Sequence, residues 1–167
     1  MLKGAHLHLL VNHAPIYGSL FALALLVASF FFAADVLRRT ALVVLIFTAL
    51  AGAAAKFSGD AAEDAIRGFP GVTRQAIHTH EESGDVAFIA AGIVGVLALG
   101  ALIRWRRAPI PRGATVVGLI ATAFAAGSMV YTGFLGGRVR HTEVRPGAKA
   151  SDAMIVEPPR QRRPPPP

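Results

Sequence analysis

Two histidines stand at matching places in this chain. His13 follows Asn12 and precedes Ala14-Pro15, and His80 follows Thr79 and precedes Glu81-Glu82. Asn12 is a good N-cap. Thr79 with Glu82 three residues later reads as a capping box, in which each side chain takes the other residue's backbone N–H. Both histidines are thereby expected at the first position of a long apolar helix. Two imidazoles facing one another across a helical bundle can hold an iron porphyrin from both faces, since axial histidine is one of the ligand types of haem iron. A histidine at a helix start can equally serve only as a polar residue at an interface.

The remaining candidate groups are His141 and three carboxylates, Glu63, Glu81 and Glu143. With His80 they form a mixed oxygen–nitrogen set suited to a single zinc, iron or manganese ion. The inward-pointing Glu-x-x-His motif of four-helix di-iron sites does not occur here. His6 and His8 fall in a short polar arm expected to be loosely ordered and without a role. His78, two positions before His80, points to another side of any helix. Glu81 and Glu82 can cap the helix and pair with Arg138 or Arg140. Tyr17 and Tyr131 read as packing residues. No serine or threonine has a base partner at a spacing that suggests hydrolysis.

Four segments must position these groups. Residues 14–34, 41–55, 86–103 and 114–135 contain no His, Lys, Arg, Asp or Glu, and about 20 apolar residues suffice to cross a bilayer. The second reaches that length if Lys56 and Phe57 snorkel at its end. With their polar ends included, the helices are expected at about 14–34, 41–57, 79–103 and 114–135. Only Lys3 is available as a charged leader region and the first apolar stretch is long, so it reads as a helix rather than a cleaved signal. Asp60 and Glu63 form a second capping box, expected to open a short amphipathic helix to about Phe69, with Pro70-Gly71 ending it. The third and fourth segments are rich in glycine and alanine (Gly92, Gly95, Gly100, Gly118, Gly127), which predicts close helix packing. Residues 144–167 are rich in proline and arginine and read as a disordered tail.

With four crossings, the amino terminus, the 56–85 connection and the carboxyl tail share one side of the bundle. All six histidines lie on those three segments. The connections at 35–40 and 104–112 hold Arg38 and Arg39, and Arg104, Arg106, Arg107 and Arg112; the 56–85 connection holds three basic and six acidic residues. Short basic loops stay in the cytoplasm, so the histidine side and both termini are expected outside. From His13 to Arg38 is 25 residues and from His80 to Arg106 is 26. Such a repeat suggests two halves related by an axis along the membrane normal.

Composition agrees. The chain has 167 residues, 53 % of them hydrophobic, enough for one compact unit of the all-α, integral-membrane class. It has no cysteine, which excludes disulfides, iron–sulfur clusters and covalent c-type haem. The net charge of +7 is spread between and after apolar segments, so it argues for membrane topology and not for nucleic acid.

The pattern Asn12-His13-Ala14-Pro15-Ile16, Ser58-Gly59-Asp60-Ala61-Ala62-Glu63, His80-Glu81, and Thr132-Gly133-Phe134-Leu135-Gly136-Gly137 before Arg140-His141 resembles an uncharacterised family of bacterial four-helix inner-membrane proteins. Some members are joined to Rieske or cytochrome c domains, so the resemblance implies a redox setting. Many members place histidine directly before the proline of the first helix; Ala14 intervenes here.

These observations set the expectation. The fold is a four-helix bundle in a bacterial inner membrane with a short amphipathic helix between its second and third members. It binds haem b through His13 and His80, in contact with quinone and other membrane redox subunits. A single zinc or iron ion, or a purely anchoring role with no cofactor, is the alternative.

Overall fold

The computed structural model describes residues 4–32 and 34–148. Five α-helices account for most of them: α1 Gly4–Val11, α2 Ala14–Phe31, α3 Asp35–Ile66, α4 Arg74–Arg104 and α5 Arg112–Arg140, followed by a 3₁₀ turn at Thr142–Val144. Four helical spans are long and apolar enough to cross a membrane, α1 and α2 together forming the first. The protein is thus an all-α bundle of the multi-pass membrane type. The expected tail falls, from residue 149 on, outside the described residues.

The helices form a ring. α2 packs on α3 and α5, and α4 packs on α3 and α5, so each neighbours two others. Small residues line the contacts: Ala22, Ala41, Ala90, Ala98 and Ala125 are buried together with Leu26, Leu45 and Val94. Large side chains face outward instead, among them Phe31, Phe47, Leu50, Val96, Ile120 and Phe124. In water that distribution would be inverted; in hydrocarbon it is favourable, because close backbone approach drives association there. Gly95 is the clearest case, since a Cβ placed on it would fall 2.6 Å from Ala49 Cβ. Gly92, Gly100, Gly118 and Gly127, expected to tighten packing, face open space instead.

One end of the ring is closed by arginines. Arg38, only 7 % exposed, donates to the carbonyls of Ile110 at 2.9 Å and Ser29 at 3.5 Å. Arg39 donates to the carbonyls of Trp105 at 2.8 Å and Ala108 at 2.7 Å and pairs with Asp35, which also accepts from the Ile110 N–H. The turn between α2 and α3 is thereby tied to the turn between α4 and α5.

At the other end the helices run past the bilayer. The 32 residues of α3 span about 48 Å at 1.5 Å per residue, against a hydrocarbon core of about 30 Å. The amphipathic stretch from Asp60 is therefore the continuation of α3 and no separate helix. Likewise α4 begins at Arg74, where Thr73 caps it by accepting from the Ala76 N–H. Thr79 lies one turn inside, its hydroxyl donating back to the Gln75 carbonyl at 3.0 Å. His80 is accordingly in the second turn and not at the helix start.

The amino-terminal arm is also ordered. α1 packs along α3, and the chain bends at Asn12-His13 because Pro15 has no N–H to give to the Val11 carbonyl. Asn12 does not act as the cap of α2; its Oδ1 is buried without a hydrogen-bond partner.

Candidate functional site

The projecting helix ends enclose a cavity of about 580 Å³ to which all five helices contribute. That volume lies within the range of cofactor and small-molecule sites, about 300–1,000 Å³. Ile16, Ala87, Phe88 and Met129 supply apolar wall, with Ala87 and Met129 packed against Ile16 on the membrane side. The polar wall carries His8, His13, His80, His141, Glu63 and Glu81. Six of the seven residues expected to do chemistry or found here thus share one chamber; the seventh, Glu143, does not line it.

His80 is the most firmly placed. Its Nδ1 lies 3.0 Å from the Thr132 carbonyl oxygen, which can only accept, so Nδ1 carries the proton and Nε2 the lone pair. The ring rests on bare backbone, because a Cβ at Gly136 would come within 2.9 Å of its Cε1. Beside it Ser83 and Thr132 share a hydroxyl hydrogen bond of 2.7 Å, joining α4 to α5 at the same level.

His13 is differently placed. It is exposed at the bend between α1 and α2, on the cavity's rim, where its ring stacks on Tyr17 with centroids 6.4 Å apart. The twofold relation expected between His13 and His80 is thus broken, one at a bend and the other inside a helix.

His8 was missed. Its Nδ1 lies 3.0 Å from the Ala55 carbonyl and 3.2 Å from the Ser58 hydroxyl. That hydroxyl is itself anchored, donating to the Ala54 carbonyl at 2.7 Å. The carbonyl again dictates the tautomer, with the proton on Nδ1 and the lone pair on Nε2.

The carboxylates divide. Glu63 and Glu81, from α3 and α4, stand close together on the chamber wall. Glu63 also pairs with Arg67 at 2.7 Å. Lys56 and Asp85 form an ion pair between the same two helices nearer the membrane. Glu143 is exposed and pairs with His141 Nδ1 at 2.8 Å; its own backbone N–H, then that histidine, hold its carboxyl below the usual carboxylate range. Glu82 pairs with His78 at 3.3 Å. Arg138 and Arg140, expected to meet Glu81 or Glu82, instead stack over the rings of Phe134 and Phe69 at 4.9 and 5.0 Å.

Among the described residues, no three His, Asp or Glu stand close enough together to hold a metal ion. A mononuclear site built from His80, His141 and the three glutamates is therefore not assembled in this arrangement. A ligand that brings its own equatorial donors needs only two from the protein, and that the chamber can offer.

No family model, no curated protein and no solved structure matches this chain.

Proposed function

We propose that this protein is a membrane redox subunit that holds one b-type haem near the outer face of a bacterial inner membrane, carrying electrons from quinol in the bilayer to an outer-side partner. The observation that supports it best is His80, a half-buried imidazole with its tautomer fixed by the Thr132 carbonyl, beside a chamber in the middle of a helical ring. A backbone acceptor on Nδ1 is the usual outer partner of a ligating histidine, setting ring orientation and raising basicity.

The rest of the chamber suits the same group. Ile16, Ala87, Phe88 and Met129 would pack against the macrocycle, and Arg140 at the chamber wall is placed to meet its carboxylates. Bound there, haem supplies a one-electron carrier that cycles between ferric and ferrous iron. Quinol gives up two electrons and two protons. The electrons leave singly towards the partner, and the Glu63–Glu81 pair is positioned to take up and release protons on the same side. The likeness of the Asn12–Ile16 and Thr132–Gly137 motifs to four-helix proteins joined to redox domains adds support.

The test is spectroscopic. The full chain, expressed with haem precursor and purified in mild detergent, is expected to show a Soret band, visible bands that sharpen on reduction, and one b-type haem per chain by pyridine haemochrome. Protein that is folded and helical yet shows no Soret band despite ample haem would leave only an anchoring or assembly role.

A further inference from the structure

We propose that the second imidazole facing His80 across the chamber is His8, on α1, and that His13 is not a ligand. This inference rests on the haem reading above and names the ligand that it leaves open.

Two observations carry it. The first is tautomer. His8 and His80 both line the chamber, and each directs Nδ1–H at a backbone carbonyl, Ala55 and Thr132 respectively, at 3.0 Å. Both therefore keep Nε2 as the lone-pair nitrogen, the form an iron ligand needs. His13 finds no such acceptor among the described residues and is exposed, stacked on Tyr17.

The second is support: behind the ring, the Ser58 hydroxyl of α3, itself 6 % exposed, lies 3.2 Å from His8 Nδ1, whereas His13 stands exposed at the bend. α1 is thus an arm that closes the chamber, bent into place at Pro15.

Full-length wild type and the variants His8→Ala, His13→Ala and His80→Ala, purified alike with haem supplied, separate the possibilities. The wild type is expected to be low-spin and six-coordinate. His8→Ala and His80→Ala are expected to turn high-spin and to retain haem about tenfold less well or worse, while His13→Ala keeps the wild-type spectrum. Imidazole added to His8→Gly is expected to restore the low-spin form, showing that the variant is folded and lacks only its ligand. A high-spin His13→Ala beside a low-spin His8→Ala overturns the assignment and leaves the haem reading standing, as does His8→Gly that stays high-spin in imidazole. A wild type that binds no haem removes the broader reading and this one with it.

Discussion

Gly136 owes its lack of a side chain to the His80 ring, which lies where a Cβ would be. Replacing this glycine separates stability from ligand chemistry. Alanine is favoured over glycine inside a helix by about 1 kcal/mol, and the atom it would meet belongs to a side chain that can rotate away. Gly136→Ala is therefore expected to melt within about 1 kcal/mol of wild type. The displaced ring, however, loses its grip on the Thr132 carbonyl. Loss of such an outer partner typically weakens ligation about 10- to 100-fold. Haem titration into the apoprotein, with circular dichroism as the control, checks both halves; an unchanged affinity would mean that His80 does not act as a ligand.

At the scale of helices, the two ends of the ring have separate tasks. The Arg38 guanidinium joins two turns by donating to Ile110 and Ser29 carbonyls, far from the chamber. Arg38→Ala strands the buried Ile110 carbonyl, a loss of about 1–3 kcal/mol. Thermal unfolding in detergent is expected to record that fall while the haem spectrum stays as in wild type; a changed spectrum would couple the ends and contradict this division. The same contrast explains what could be read beforehand. The four spans and the gathering of histidines on one side follow from runs of apolar residues, and these were legible. Helix ends were not. Thr79–Glu82 and Asp60–Glu63 have capping-box spacing, yet both lie inside helices, where a threonine hydroxyl can satisfy itself on the carbonyl four residues back. Since charged and alanine-rich turns are good helix formers, α3 and α4 continue beyond the lipid and raise the chamber above it. His8 gave no local sign at all, because its partners, Ala55 and Ser58, lie 47 and 50 residues away.

For the whole molecule the decisive property is which way the chamber faces. The arginine-closed end carries Arg38, Arg39, Arg104, Arg106, Arg107 and Arg112 with Asp35 as its one acid, on two short connections. Such loops are retained in the cytoplasm. At the chamber end, by contrast, the 56–85 connection has three basic residues among thirty, a far lower density, so a chamber facing outward is expected. The chain has no cysteine of its own, so single introduced thiols report without background. Gln75→Cys, exposed at the start of α4, and Ala108→Cys, exposed between α4 and α5, mark the two ends. In intact cells a membrane-impermeant maleimide is expected to label Gln75→Cys alone, with Ala108→Cys reacting only after lysis. The reverse pattern would put the chamber in the cytoplasm, and an electron carrier there would have to serve a cytoplasmic partner instead of an outer one.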